Sequence, residues 1–541
     1  MEAVIRVPRG GRVDEIALAR LGGFAGIYRS PRLHRPRWPY CSRPWCPGNR
    51  AYNGRYYVKA TEPLKKDEEV ILYQVTELTK LMSSLWVLAA SESLHGWPAR
   101  TVPLSSTMLA TRILGLEPYL GGRDSGTGVL RLENISDERV VIVGAGLGGL
   151  IAAEELRRAG VKTVIMDYSG GTSHIHYLLG DDEARRLLGK LGNEIVPARY
   201  IGYYDEGHAL LSSDALYVTK GPVVYAMGGE APPPITVNND LPGVVSASYG
   251  LELVEMLGYK PRRVVVLGYG YLAPRIADWF AERGIETRLV ALKGSLPEKP
   301  ERAELVEAER VEGLLGAECV GAVIVDGERF GADMVVSALG VYPDSLPVYA
   351  AGYKPVYLSA CYRFVPEIPE PSTSLDKHGG LVAAGIVAGY EWPGAVKASA
   401  RYAAALVAHS MGKVSENDVE HYYQELRSAI DEQTRYCPKA IRPPVWLSGE
   451  ITGLQLIDLD EDLALYHIYS AWSKGYKRME MLKRVTGLGT GSDQGRFSAT
   501  TAAIILAAIS GTDPGEIGVF RPRPPYFVPD ASLLAKAPTE W

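Results

Sequence analysis

The sequence predicts an α/β protein built around two Rossmann-type dinucleotide-binding units, with a largely helical C-terminal region. Two stretches, 139–167 and 262–292, each read as a buried strand, a glycine turn, a helix and a second strand, a pattern typical of a parallel sheet. The length of 541 residues allows roughly three to four domains. Hydrophobic residues make up 46% of the chain and charged residues 22%, which excludes an intrinsically disordered protein.

The first glycine turn follows the strand RVVIV and has the form Gly144-x-Gly146-x-x-Gly149. A glycine is needed at each place, for the sharp turn, for contact with a pyrophosphate and for packing of helix on strand. The helix N-terminus adds amide donors for the phosphates. Asp167 ends the next strand, where a carboxylate binds ribose hydroxyls and repels a 2′-phosphate, so NADP is disfavoured. The alternative is a structural βαβ unit. The candidate contacts in this turn are Gly144, Ala145, Gly146, Leu147 and Gly149.

The second turn has the form Gly268-x-Gly270-x-x-Ala273, and alanine still allows close packing of the helix. Its next strand ends in Leu292-Lys293, without an acid for the ribose. Three side chains are expected to crowd the approach of a phosphate, namely Tyr269, Tyr271 and Pro274. Gly268 and Gly270 therefore belong either to a Rossmann unit kept for architecture or to a working NAD(P)H site.

A late strand lies at 380–389, with the sequence GLVAAGIVAG. Flavoproteins with two dinucleotide-binding units usually end this strand in Ala-Gly-Asp, and the acid holds the ribityl chain of FAD. Ile386 takes the acid's place here and cannot accept those hydrogen bonds. The first site therefore fits NAD or ATP at least as well as FAD. Gly228 and Gly385 are further candidate cofactor contacts.

Composition bounds the cellular context and the class of partner. The net charge is −5, so nucleic acid is not an expected partner. No signal peptide or membrane-spanning segment is expected, and a cytoplasmic location is predicted. The few amide residues are compatible with a heat-adapted source. An odd, scattered set of cysteines favours a reducing compartment over a disulfide framework. The cysteines are Cys41, Cys46, Cys319, Cys361 and Cys437.

Several segments together resemble the α subunit of heteromeric sarcosine oxidase. They are also similar to its relatives, the α subunits of dye-linked L-proline dehydrogenase and of the opine and hydrogen-cyanide-forming enzymes. Besides the first nucleotide turn, they are HRPR (34–37), GYYD (202–205), NNDLPGV (238–244), KRVTGLGTGSDQGRFSATTAA (483–503) and FRPRPPY (520–526). The resemblance implies five parts of the chain. They are a degenerate [2Fe–2S] ferredoxin-like domain (1–75), a helical connector (76–135), the first dinucleotide-binding domain (136–250 and 346–415), an inserted second Rossmann-like domain (251–345) and a bacterioferritin-associated-ferredoxin-like helical domain with a proline-rich tail (416–541).

The resemblance also shows that the ligands of two iron–sulfur clusters are missing. The N-terminal pattern keeps Cys41 and Cys46, but Asn49 and Thr61 stand at the other two positions. Two thiolates cannot hold a [2Fe–2S] cluster. The four C-terminal ligand positions are occupied by Trp446, Ser448, Asp493 and Ser498. No iron–sulfur cluster is expected.

By resemblance, a β subunit would carry the substrate-oxidising FAD and the amine site, and further small subunits are possible partners. In the family an FMN lies between α and β subunits. A basic, hydroxyl- and glycine-rich turn follows Lys483 and Arg484 and contains Thr486 and Thr490. Such a turn can bind a phosphate, and we expect it to hold the FMN phosphate. The alternative is a solvated loop.

The function predicted from these features is that of an α subunit in a flavin-dependent amine or N-alkyl amino-acid dehydrogenase or oxidase, of the sarcosine or proline type. Two alternatives are a self-sufficient NAD(P)H-dependent FAD oxidoreductase and a nucleotide-binding scaffold without redox chemistry. No catalytic residue is assigned to this chain. His174 and His176 alternate like strand residues but have no third metal ligand, so they read as loop histidines and no metal site is predicted.

Overall fold

The computed structural model describes residues 130–526, apart from 206, 213, 257, 317–318, 438–442 and 492. It also describes short segments near the N-terminus, at 2–6, 27–28, 36–37, 40, 50–52, 56–59 and 69–74. The predicted ferredoxin-type positions Cys41, Cys46, Asn49 and Thr61 lie outside the described residues, as does 76–129 of the predicted connector.

The first parallel sheet carries the first glycine turn. Its strands, in spatial order, are Leu381–Ala383, Val223–Tyr225, Arg139–Val143 and Lys162–Met166. Residues 140–143 are no more than 1% exposed, because both faces of the sheet are covered, and a central strand buried on both faces consists of apolar residues. The helices Leu147–Arg158 and Pro393–Ser410 share a hydrophobic core with these strands.

The second parallel sheet has five strands, and the second glycine turn follows its central one. In order they are Val244–Ser246, Met334–Leu339, Arg263–Tyr269, Glu286–Leu292 and Glu304–Ala308. The helices Ala247–Glu255 and Leu272–Glu282 pack in the core of this unit. The first strand of the sheet thus precedes residue 251, where the sequence placed the boundary.

Smaller sheets surround the two units. Four-stranded sheets are formed by Arg199–Tyr204, Gly207–Leu211, Ala215–Thr219 and Arg131–Asn134, and by Glu2–Arg6, Glu69–Gln74, Tyr56–Lys59 and Arg50–Tyr52. A three-stranded antiparallel sheet comprises Val311–Gly316, Val320–Val325 and Glu328–Gly331. Two-stranded pairs are Gly229–Glu230 with Tyr342–Pro343, Ile27–Tyr28 with Pro36–Arg37, Pro355–Leu358 with Arg363–Pro366, and Leu456–Asp458 with Leu463–Ala464.

The other helices among the described residues lie mainly in the C-terminal third. They are Ile175–Leu178, Asp182–Leu191, Leu346–Ala350, Glu416–Thr434, Leu465–Ser473, Met479–Thr486, Ser498–Ser510 and Pro514–Ile517. Short 3-10 turns occur at Gly192–Glu194, Ser359–Cys361, Leu375–His378 and Gly385–Ala388. The helix Glu416–Thr434 packs into the core of the first unit, so the predicted boundary at 416 falls between two packed helices. None of the described helices combines the length and the apolar character needed to cross a bilayer.

Cys361 and Cys437 form a disulfide between segments 76 residues apart, with Cα atoms separated by 4.8 Å. Both residues are buried, whereas Cys319 is an exposed free thiol. The expectation that the cysteines stay unpaired is therefore wrong for this pair. The spacing of cysteines in the sequence contains no signal for it, since the pair joins the 3-10 turn Ser359–Cys361 to the residues that follow the helix Glu416–Thr434.

Candidate functional site

A cleft that opens to solvent lies between the two parallel-sheet units. The first unit, including the segments that follow its strands Val223–Tyr225 and Leu381–Ala383, contributes Gly146, Leu147, His174, His176, Gly228 and Gly385. The second unit contributes Ser248, Leu272, Ile276, Ala338, Gly340 and Val341. A cleft at the carboxyl ends of parallel strands is the usual ligand site of an open α/β sheet.

The first glycine turn forms one wall of the cleft. Gly144 has φ +102°, a conformation that side chains disfavour, and its amide donates to the Met166 carbonyl at 2.8 Å. A Cβ on Gly149 would overlap the Gly144 carbonyl oxygen and come within 3.3 Å of Ala226 Cβ. Gly149 is therefore required for the helix to pack against the turn. These contacts agree with two of the three roles that the spacing predicts.

Asp167 is placed differently from the sequence expectation. It is 1% exposed, and its oxygens accept hydrogen bonds from the amides of Ala145 (2.9 Å), Ser169 (2.7 Å) and Gly171 (3.3 Å) and from the Ser169 hydroxyl (2.7 Å). Burial alone would raise the pKa of this carboxyl, but the hydrogen bonds and the neighbouring His174 outweigh it and hold the pKa well below its ordinary value. In this conformation Asp167 organises the loop around the turn, and its contact with a ribose stays a prediction.

His174 lies between Asp167 and Gly146. Its Nε2 is 3.3 Å from Asp167 Oδ2, and its Nδ1 is 3.1 Å from the position of a Cβ on Gly146. A phosphate approaching Gly146 would therefore meet this imidazole. His176 is 5% exposed with Nε2 lacking a hydrogen-bond partner, and burial lowers its pKa to about 4. His176 lies within the helix Ile175–Leu178 and His174 immediately precedes it, so the reading as a loop histidine is wrong for His176.

Gly385 and Gly228 reach the cleft from other segments of the chain. Gly385 has φ +74°, lies beside Gly148 and donates its amide to the Ser399 hydroxyl at 2.8 Å. Gly228 has φ +76°, and its carbonyl accepts from the Asp344 amide at 2.9 Å. Ile386 follows Gly385 in the lining, so an aliphatic side chain faces the cleft at the position of the flavoprotein acid.

Sequence reasoning missed two polar side chains of this site, Glu230 and Ser248, and set aside two others, His174 and His176, as loop histidines. Glu230 accepts hydrogen bonds from the Ala231 amide (3.1 Å) and from the Ser248 hydroxyl, and both Glu230 and Ser248 line the cleft together with His174 and His176. The histidines follow the Gly170-Gly171 turn directly after Asp167, and that position was the available signal. The sequence contained no such signal for Glu230 and Ser248, because the cleft is formed only when the two units pack together.

Gly268 and Gly270 lie outside the cleft's lining. Gly268 packs against Ala273 and Ala338 in the second unit. Gly270 has φ +71°, and the Tyr436 carbonyl oxygen lies 3.5 Å from the position of its Cβ. Tyr269 is buried with its hydroxyl towards Gly340, so the expectation that Tyr269 crowds a phosphate is wrong. Its side chain points into the core because it alternates with Gly268 on the same strand.

The predicted phosphate turn at 487–495 lies in the C-terminal region, and two of its amides already donate hydrogen bonds to carboxylates. The amide of Gly489 donates to Asp458 (2.8 Å) and that of Asp493 to Asp460 (3.1 Å). The hydroxyls of Thr486 and Thr490 donate to the carbonyls of Leu482 and Gly487, at 2.7 and 2.8 Å. The Lys483 ammonium stands 4.4 Å from the centroid of the Phe520 ring. Because these amides and hydroxyls are occupied, the groups that this segment can offer to a phosphate are the side chains of Lys483 and Arg484.

The residues of the cleft fit a dinucleotide. Gly146 has no side chain of its own, the N-terminus of the helix Leu147–Arg158 lines the cleft, and the His174 imidazole lies against Gly146. Amide donors and partial positive charge at a helix N-terminus bind a pyrophosphate. Within the part of the chain that the structure describes, no three metal-ligating side chains come together to hold a metal ion.

Comparison with known proteins agrees with this geometry. The model of the pyridine nucleotide-disulphide oxidoreductase family matches residues 138–355, which supports FAD or NAD binding, and the model of the sarcosine oxidase A3 domain matches residues 452–537. The sarcosine oxidase α subunit of Rhizobium meliloti (strain 1021) is 26% identical over 427 residues, covering 72% of this chain and 41% of that protein. The sarcosine oxidase α subunit of Corynebacterium sp. (strain P-1) is 25% identical over 488 residues, covering 79% and 48%.

The chain spans less than half the length of these two relatives. Among solved structures, L-proline dehydrogenase from P. horikoshii is similar with a TM-score of 0.58 and 20% identity, covering 75% of this chain and 80% of that one. This likeness confirms the predicted α/β fold with parallel sheets. The N-terminal ferredoxin-like domain and the C-terminal ferredoxin-type helical domain remain predictions. Taken together, the matches show that the chain is similar to the α subunits of sarcosine oxidase over about three quarters of its length.

Proposed function

We propose that the chain is the nucleotide-binding subunit of an oxidoreductase complex that oxidises the C–N bond of an amine or N-alkyl amino acid, of the sarcosine or proline type. The observation that carries the proposal is the cleft, which is lined by the glycine turn of the first unit and by residues of the second. The similarity to sarcosine oxidase α subunits over about three quarters of the chain supports the reaction class.

The residues of this chain bind and orient the nucleotide. The first-turn amides of the helix Leu147–Arg158 donate to its pyrophosphate, and His174, oriented by Asp167, lies beside it. Apolar side chains such as Leu272, Val341 and Ile386 exclude water from the inner part of the cleft. A flavin bound there would supply two-electron redox chemistry and a nicotinamide would supply hydride transfer, whereas ATP would be structural.

Ile386 favours NAD or ATP over FAD in this cleft. The aliphatic side chain offers no acceptor to a ribityl hydroxyl. On this reading a β subunit carries the substrate-oxidising FAD and the amine site, and an FMN lies between the subunits. Lys483 and Arg484 would contribute charge to the FMN phosphate, since the amides of the neighbouring turn are occupied.

A second candidate is a self-sufficient NAD(P)H-dependent FAD oxidoreductase. It is favoured by the contribution of both units to one cleft, through Gly146 on one side and Gly340 on the other. On that reading the purified chain alone binds FAD and oxidises NADH with a dye acceptor. A chain that binds only NAD or ATP and has no such activity is instead a partner or scaffold subunit.

The test is denaturing release of the bound cofactors from the purified chain, alone and co-expressed with the neighbouring gene products, followed by mass identification. We expect one adenine nucleotide in the chain alone, and flavin in addition when the partner is present. Absence of any nucleotide from both preparations would contradict the proposal.

Matched variants locate the nucleotide. Gly146→Ala places a methyl group 3.1 Å from His174 Nδ1 and should reduce nucleotide content. Gly189→Ala is the control, because Gly189 lies on an exposed helix face with no atom near its Cβ position. Equal loss from both variants would point to general destabilisation instead of a site at Gly146.

A further inference from the structure

The second glycine turn is covered by another part of the same chain. The Tyr436 carbonyl oxygen and the Glu391 Oε1 lie 3.5 and 3.6 Å from the position of a Cβ on Gly270. The Tyr436 ring packs edge-on against Tyr271, with centroids 5.3 Å apart. A phosphate bound to the amides after Gly270 would collide with these oxygen atoms, so the turn is closed to it as long as they stay in place.

The covering segment, residues 433–437, is anchored at both ends. At its start, Gln433 Oε1 accepts hydrogen bonds from the amides of Glu391 (2.9 Å) and Trp392 (3.2 Å), and its Nε2 donates to the Gly389 carbonyl (3.3 Å). At its end, Cys437 is joined by the disulfide to Cys361. Between the anchors, Trp392 stacks on Tyr436 with centroids 6.1 Å apart.

We propose that the Cys361–Cys437 disulfide holds residues 433–437 over the second glycine turn, and that its reduction opens this turn to the pyrophosphate of an adenine dinucleotide. The ligand class follows from the turn itself. Gly268 and Gly270 precede the helix Leu272–Glu282, whose first-turn amides are the donors that a pyrophosphate needs. This second site is independent of the ligand in the cleft.

The redox step is a thiol–disulfide exchange with a dithiol. One thiolate of the dithiol attacks a sulfur of the Cys361–Cys437 pair, the S–S bond breaks, and the mixed disulfide is resolved by the second thiol. Two electrons and two protons pass to the protein, which then carries two thiols, and the dithiol becomes a cyclic disulfide. The segment keeps the Gln433 anchor but loses its covalent one.

The experiment is a calorimetric titration of NAD+ into the purified protein, before and after treatment with dithiothreitol. Any nucleotide that co-purifies with the protein is left in place. Differential alkylation and mass mapping follow the thiols of Cys361 and Cys437. We expect reduction to add one binding event, or to tighten NAD+ binding at least about tenfold. Hydrogen exchange should rise in residues 433–437 on reduction, and NAD+ should then protect residues 270–272.

Two variants distinguish the effect of breaking the Cys361–Cys437 disulfide from other effects of the reductant. Cys437→Ser should bind NAD+ without dithiothreitol as the reduced protein does, with circular dichroism reporting its fold. Cys319→Ser removes the exposed free thiol and should behave as the parent protein. The proposal is overturned if both cysteines are alkylated without reductant. It is equally overturned if mapped reduction of the parent protein changes neither NAD+ binding nor exchange at 433–437.

Discussion

The two glycine turns of this chain have nearly the same sequence pattern and opposite surroundings. The first, at Gly144 to Gly149, opens into the cleft and presents Gly146 to the imidazole of His174. The second presents Gly270 to a carbonyl and a carboxylate oxygen from elsewhere in the chain. An imidazole ring faces one turn and acceptor oxygens face the other.

This difference teaches that a dinucleotide pattern specifies a local shape and leaves the ligand to the groups packed in front of it. Both turns follow a buried parallel strand and lead into a helix. Only the surroundings, contributed by residues that are distant in sequence from each turn, distinguish an open phosphate site from a covered one.

The largest effects should come from the buried ion pairs beside each turn. Arg363 and Glu391 are paired at 2.9 Å and nearly inaccessible, next to the second turn. Arg496 pairs with Asp344, whose amide is bonded to Gly228 near the first turn. Arg363→Met or Arg496→Met leaves a buried carboxylate unpaired, and each should cost about 3–5 kcal/mol of unfolding free energy in chemical denaturation.

The double variant Arg363→Met/Glu391→Leu removes both charges and should recover most of that loss, since no buried charge is left unpaired. Arg131→Met is the exposed control, because its partner Asp214 is also solvent-accessible, and it should change stability by less than about 1 kcal/mol. A small effect of Arg363→Met would show that Glu391 is solvated or protonated beside the second turn.

A reciprocal exchange at the third position of each turn tests the packing. Gly149→Ala forces a methyl group against the Gly144 carbonyl and Ala226 Cβ, and should cost about 3 kcal/mol and reduce nucleotide content. Ala273→Gly removes a buried methyl group from the second helix, and should cost about 2 kcal/mol through helix propensity and lost burial and leave nucleotide content unchanged. Loss of nucleotide in Ala273→Gly would mean that the second unit holds it.

The loop around the first turn should respond to acid through Asp167. Since its folded pKa lies below the unfolded value of 3.8, its stabilisation is present above about pH 4 and is lost as the pH falls below that value. Asp167→Asn should therefore cost about 2 kcal/mol at pH 7, and the gap to the parent protein should narrow below about pH 4. Chemical denaturation curves of the parent protein and of Asp167→Asn, recorded from pH 7 to below about pH 4, measure this difference in unfolding free energy.

Asp182→Asn is the control for that titration. Its carboxylate is exposed at the start of the helix Asp182–Leu191, so the change should stay within about 0.5 kcal/mol at any pH tested. A gap between parent and Asp167→Asn that does not narrow in acid would mean that the hydrogen bonds to Asp167 do not depend on its charge.

Local pattern was sufficient to predict the strand–turn–helix units, because buried runs such as residues 140–143 and glycines at fixed spacing are properties of one short segment. The role of Asp167 could not be predicted, since four donors from residues 145–171 enclose its carboxylate only after the loop folds back. The Cys361–Cys437 pair and the Tyr436 cover depend in the same way on contacts between segments far apart in sequence.

The C-terminal glycine turn shows the same limit. Its composition predicts a phosphate site, yet Asp458 and Asp460 arrive from a preceding hairpin and take two of its amides. Phe520 fills the space beside Gly489 and Gly495. A donor-rich turn binds a phosphate only if its amides are not already hydrogen-bonded to carboxylates of the same chain.

The smallest predicted effect concerns the contrast between the groups that face the two turns. His174→Ala removes the imidazole beside Gly146 and should weaken nucleotide binding to the cleft about tenfold, because the ring is the nearest side chain to the expected pyrophosphate. The exposed His421→Ala is the control, and calorimetric titration of nucleotide-stripped protein measures both. Unchanged affinity in His174→Ala would assign phosphate binding at the first turn to the backbone amides alone. The contrast with the second turn would then rest on the oxygen atoms that close it, since an imidazole that contributes nothing at Gly146 cannot be what distinguishes the two.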